Sequence, residues 1–207
     1  LRPRSDGPAP VNARRAEVLT FNSGGAGARP LHDGLNATAF PSGVMTMPVE
    51  ATEHAGPVII WRKELREGSG GAGRQRGGLG QVIEISANHG HRIYINAMFD
   101  RCDNPARGRD GGKAGAAGAV SLDDGGVMQS KGKQWIPDGR HLVLELPGGG
   151  GYGEPSTRHK ELVELDVARE YISAEQARQD YGNTDLWKLI NLGENRAVIE
   201  AAVVDTD

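Results

Sequence analysis

Three stretches of the chain carry the residue types that handle phosphate: "NSGGAGARP" from Asn22, "GSGGAGRQRGG" from Gly68 and "LPGGGGYGEP" from Leu146. Consecutive backbone N–H groups in such loops can converge on an anion, most effectively where a helix begins behind them. Gly148 to Gly153 satisfies G-x-G-x-x-G and follows a strand-like run. The dinucleotide fingerprint also needs a parallel βαβ unit with an acidic residue about 20 positions on. Glu154, Pro155 and a helical pattern follow instead, and no loop contains Gly-Lys-Ser or Gly-Lys-Thr. The loops therefore read as structural corners, with glycine serving either a positive φ or the close approach of two backbones.

Other residues bear chemistry in smaller groups. His89 and His91 would share one face of a strand, as a metal pair can. No third ligand falls at ligand spacing, so they read as polar residues at a strand entrance. Cys102 beside Arg101 has the setting of an activated thiol, although a lone half-buried cysteine is the commoner case. Glu50 and Glu53 in "MPVEATE" are either paired carboxylates on one helical turn or a charged edge. Arg29 and Asp33 keep a polar site open nearby. "GRQRGG" and "ARGRDGG" resemble the arginine-glycine tracts of RNA-binding segments, but they lie between patterned strands in a chain with 5% aromatic residues. No Ser-His-Asp set emerges from order or spacing.

The elements that position these residues follow from composition and period. Of 207 residues, 31 are glycine and 37% are hydrophobic, and the net charge is -3. That balance gives no global field toward nucleic acid or an anionic membrane. A single cysteine fits a reducing compartment, with the cytoplasm expected. No apolar run approaches a membrane span. Residues 1–15 read as a linker or mobile arm. "AEVLTF", "PVIIWRKEL", "QVIEISAN", "RIYINAMF", "GAVSL" and "RHLVLEL" then read as short strands of a glycine-rich β body over 16–155. The segment 156–207 reads as helical, with Ser173 and Gln176 forming a capping box, a stop at Gly182 and a final helix and strand beyond. The fold class expected is α+β, a largely antiparallel, β-rich body followed by C-terminal helices.

The ordered set "GGAGARP" with Asp33 and Gly34, "MPVEATE", "GSGGAGRQRGGLG", "FDR" with "PARGRDGGKAG", "KGK" before "LPGGGGYGEP", and "ISAEQARQDYG" resembles the hydantoinase B and 5-oxoprolinase-related subunits, a group that includes an acetone carboxylase subunit. It runs from about Asn22 to Gly182. Members are much longer, and the chain is similar to their C-terminal part, as the absent initiating Met also suggests. The resemblance implies the B subunit of an ATP-dependent cyclic-amide hydrolase of the N-methylhydantoinase or 5-oxoprolinase type. It would act in a hetero-oligomer with an ATP-binding A-type subunit and with the N-terminal half of the B subunit. ATP and a divalent metal are expected in the complete enzyme, the metal in that N-terminal half, with no cofactor on this chain. Glu53, Arg76 and Arg101 lie inside the motifs and are the candidates for polar groups facing a shared cavity. Trp61 and Trp135 are the candidate interface anchors. The alternative is a noncatalytic β-rich assembly or binding module.

Overall fold

The computed structural model describes residues 17–39, 47–88 and 91–182. The expected linker over 1–15, the final helix and strand after Gly182, and His89 lie outside the described residues. The elements run α1 (Val49–Ala55), β1 (Val58–Leu65), β2 (Gln81–Ala87), β3 (Tyr94–Met98), β4 (Ala119–Leu122), β5 (Lys131–Trp135), β6 (Leu142–Glu145), a 3-10 turn (Pro155–Thr157), α2 (Lys160–Ala168) and α3 (Ala174–Tyr181). The fold is α+β and rich in antiparallel sheet, with helices after the strands. No helix among the described residues is long and apolar enough to cross a membrane.

One sheet has the order β1-β2-β6-β4 and the other pairs β3 with β5, and every pairing is antiparallel. Register places Ile83 opposite Leu144 and Ile85 opposite Leu142, with Val120 and Leu122 on the same face. That face meets Ile136, Ile93, Ile95 and Phe99 to form the main core. Alternation of branched apolar residues thus builds the sheet as the sequence pattern requires. A bulge at Trp61 separates the Ile60 and Arg62 registers and leaves the indole on the opposite face. Two expectations change. Segment 17–21 of "AEVLTF" forms no strand, and Leu19 and Phe21 are exposed. "KGKQW" does form one, because β3 supplies a ladder for residues with weak strand preference of their own.

The glycine loops make a second kind of core. A β-carbon on Gly148 would overlap the Ser69 carbonyl, on Gly149 that of Ala26, on Gly150 that of Arg107 and on Gly151 that of Ala72. Successive residues face three neighbours in turn and the fourth returns to the first. This is the repeat of an extended chain with three residues per turn. Gly112, Gly115 and Gly118 keep the same period against the carbonyls of Gly151, Gly148 and Glu145. The contacts are stitched by main-chain hydrogen bonds: Gly71 N–H donates to Gly149 O, Gly149 N–H to Gly78 O, Ala28 N–H to Gly150 O and Arg109 N–H to Gly151 O, each at 2.9 Å. None of the four glycines from Gly148 has a positive φ, so close approach, not a left-handed backbone, requires them. A positive φ governs the hairpin that flanks the stack. Asp110 at 53° and Gly111 at 91° form a type I′ turn closed by Gly112 N–H to Arg109 O at 2.9 Å.

Candidate functional site

The helical segment is fastened to the glycine stack by a buried ion network. Arg158, in the extended link between the 3-10 turn and α2, donates Nη1 to Asp33 Oδ1 at 2.8 Å and Nη2 to Asp33 Oδ2 at 2.7 Å. Its Nη2 also reaches Asp166 Oδ2 of α2 at 2.8 Å. Arg76 Nε lies 3.3 Å from the same Asp166 oxygen, and Arg76 N–H donates to Asp33 Oδ1 at 2.7 Å. The Arg76 guanidinium sits 5.0 Å from the Tyr171 ring centre and that of Arg158 6.0 Å from the Tyr181 ring centre. Two arginines thus meet two carboxylates with no excess charge.

Position decides how the acids titrate. Burial pushes the Asp33 carboxyl up, but the Arg158 fork and the Arg76 amide outweigh it and hold the group below the usual carboxylate range. Asp166 is buried more deeply, and there burial outweighs Arg76 and Arg158 and moves its carboxyl up. Burial also pushes the Tyr181 phenol to about 12. The set is a fixed clasp whose two acids are shifted in opposite directions.

The three candidates from the motifs are not brought together. Arg76 belongs to the clasp and is 3% exposed. Glu53 on α1 accepts the Ile60 N–H of β1 at 2.8 Å, an exposed brace between helix and strand. Arg101, with φ 62°, lines an open cleft of about 200 Å³ with Asn22, Met98, Cys102, Glu145 and Leu146. Its carbonyl accepts from Gly118 N–H at 3.0 Å, which fixes the loop across the mouth of β4. Glu145 is held by Arg66 Nε at 3.3 Å. Cys102 Sγ reaches only the Asp100 carbonyl at 3.9 Å. The cleft offers a guanidinium, the two carboxylates of Asp100 and Glu145, and a thiol for binding; among the described residues no imidazole lines it.

The outer face of the larger sheet carries another polar group. Trp61 and His141 stack with ring centres 5.2 Å apart and planes within 7°. Trp61 Nε1 donates to Ser86 Oγ at 2.8 Å, and His141 Nδ1 lies 2.5 Å from Glu84 Oε1. On the small sheet Tyr94 and Trp135 meet at 5.4 Å, with Arg92 5.0 Å from the Trp135 ring centre. Trp61 and Trp135 are both more than half exposed, at 58% and 52%.

A metal has no evident seat here. Among the described residues no group of three or more His, Cys, Asp or Glu side chains could hold one. The divalent metal implied by the family resemblance therefore does not fit the described residues.

Residues 5–155 match the model of the family described as hydantoinase B/oxoprolinase. The chain belongs to that family. It is 31% identical to the beta chain of the caprolactamase of Pseudomonas jessenii over 80% of this chain and 30% of that one. It is 30% identical to the B-type chain of a putative D-/L-hydantoinase of Pseudomonas sp. (strain NS671), over 80% of this chain and 29% of that one. The crystal structure of the ATP-dependent caprolactamase from Pseudomonas jessenii superposes with a TM-score of 0.65 at 27% identity, covering 87% of this chain and 32% of its own. The chain thus spans less than a third of the length of these relatives.

Within the hydantoinase B/oxoprolinase chain the motif glycines are explained by the stack and Asp33 by the clasp. Arg158 escaped the sequence reading altogether. One of its partners is 125 residues away and the other 8, so no local pattern announces it. Its only sequence signal is a polar residue at the entrance to a helix.

Proposed function

We propose that the chain is the C-terminal part of the B-type subunit of an ATP-dependent cyclic-amide hydrolase, of the N-methylhydantoinase or 5-oxoprolinase type, working with an ATP-binding A-type subunit in the cytoplasm. The observation that carries this reading is the likeness to the caprolactamase beta chain, in sequence and in superposed structure, over four-fifths or more of this chain. Resonance makes a ring amide a poor electrophile, and phosphorylating its oxygen creates a leaving group before water opens the ring. That step needs positioning and electrostatic stabilisation more than new covalent chemistry.

The described residues suit a positioning role. The glycine stack is a stiff platform whose N–H and C=O groups are largely engaged with one another. In this reading the ATP that phosphorylates the amide is held by the A-type subunit, and the divalent metal by residues outside those described. Arg101, Asp100, Glu145 and Asn22 in the cleft are polar groups available to orient a ring substrate or a neighbouring segment.

The test is reconstitution. The chain is coexpressed with the remainder of the B subunit and an A-type subunit, and phosphate release from ATP is measured with hydantoin, 5-oxoproline or caprolactam. Amide-dependent turnover by the complete complex, lost when this chain is omitted, is expected. A stable complex with no turnover on any of these amides would favour the noncatalytic assembly module.

A further inference from the structure

The central glycine run is enclosed on one side by segment 69–78, and its other neighbours are segments 26–29 and 106–109. In those two outer segments the exposed residues are Gly27, Arg29, Arg107 and Arg109. Their backbones surround the same two residues. Ala28, beside Arg29, donates its N–H to Gly150 O at 2.9 Å, Arg109 donates to Gly151 O at 2.9 Å, and the Arg107 carbonyl lies against the α-carbon of Gly150. Among the described residues Arg29, Arg107 and Arg109 enter no side-chain hydrogen bond or ion pair. Arg74 joins the group from the enclosed side, donating Nη2 to Pro30 O at 3.4 Å. The nearby Asp33 carboxylate is already taken by Arg158. Exposed Asp110 and Glu154 leave the group with excess positive charge in a chain of net charge -3.

We propose that this face of the glycine stack, formed by Arg29, Arg107 and Arg109 around Gly150 and Gly151, binds a polyphosphate-type oxyanion. Three guanidinium forks stand on two segments, each hydrogen-bonded to the same glycine run, so their backbones are anchored without help from the ligand. Planar forks match the oxygen pairs of linked phosphates better than a single carboxylate does. The N–H groups of Gly27, Arg107 and Gly108 donate to no acceptor among the described residues, which adds main-chain donors to the same segments. A nucleic acid fits less well, because neither outer segment carries an aromatic side chain on which a base could stack. The inference stands whether or not the hydrolase reading holds.

The test is calorimetric titration of the full chain with sodium tripolyphosphate and, separately, ATP, at constant ionic strength, with thermal melting to verify folding. Saturable binding is expected, weakened about tenfold by R109Q at the exposed turn and further by R29Q/R107Q, and unchanged in R62Q, whose guanidinium is paired with Glu64 on edge strand β1. Equal affinity for both probes assigns the site to the phosphate tail of a nucleotide as well as to inorganic polyphosphate; binding of tripolyphosphate alone restricts it to the latter. The proposal is overturned by no saturable binding at millimolar probe, by equal loss in R62Q, or by R109Q binding as tightly as the parent. A single-stranded oligonucleotide binding far more tightly through the same arginines would replace the small anion with nucleic acid.

Discussion

Arg158 holds two carboxylates at once, and removing it would strand Asp166 where that side chain is only 6% exposed. Breaking a buried pair by deleting one partner costs about 3–5 kcal/mol, more than the pair contributes relative to an apolar replacement. R158L is therefore expected to lower the urea midpoint strongly, and D33N to lower it less, because Asp33 is 30% exposed and water can take up part of the loss. The pH dependence carries the same signature. Asp33 has a depressed folded pKa, so its contribution is fully present above the unfolded value of about 3.9 and is lost as pH falls through the folded value. Asp166 acts in reverse: its folded pKa is raised, so its protonation favours the folded state as pH falls. Stability curves for the parent and D33N should draw together as pH falls below the unfolded value of about 3.9. Parallel curves would show that Asp33 is not the titrating partner of Arg158.

At the scale of elements, substitution at two glycines separates two causes. Gly149 lacks a positive φ, but its β-carbon would overlap the Ala26 carbonyl; Gly139 has φ 76° and no atom nearby. G139A is expected to cost about 1–2 kcal/mol through its left-handed backbone. G149A should cost more, because the glycine run and the Ala26–Gly27 backbone must part, and G149V more again; thermal unfolding measures all three. A G149A melt equal to that of G139A would mean that the stack yields easily. Strands β1, β2, β3, β4 and β6 were legible because branched apolar residues alternate between turn residues. The cap of α3 was half legible: Ser173 Oγ accepts the Gln176 N–H at 3.1 Å, but the Gln176 amide turns away to the Gly68 carbonyl at 3.2 Å. β5 was missed because two lysines and a glycine look like a turn until β3 provides a partner. The stack was legible as composition and not as geometry, since its contacts join segments far apart in sequence. Of the site candidates, Arg101 reached a cleft, while Arg76 and Glu53 serve contacts that depend on tertiary neighbours.

For the whole molecule, exposed aromatic residues on both sheets bear on assembly. Trp61 is steadied by His141 and Ser86, and Trp135 by Tyr94 and Arg92, so each presents a fixed ring at little further entropic cost. W61A and W135A are expected to weaken copurification with the proposed partners, the A-type subunit and the rest of the B subunit, while leaving the melt of the chain nearly unchanged. Unchanged copurification in both variants would place the intersubunit contact elsewhere. The three-residue turn of the central glycine run also constrains how such a chain can change in length. Each residue inserted before Gly148 would advance the following glycines by a third of a turn and present side chains to carbonyls that have room only for hydrogen. An insertion of three restores the phase. Length variation at this point should therefore come in triplets of residues, or be confined to the sheet loops, where no such phase is kept.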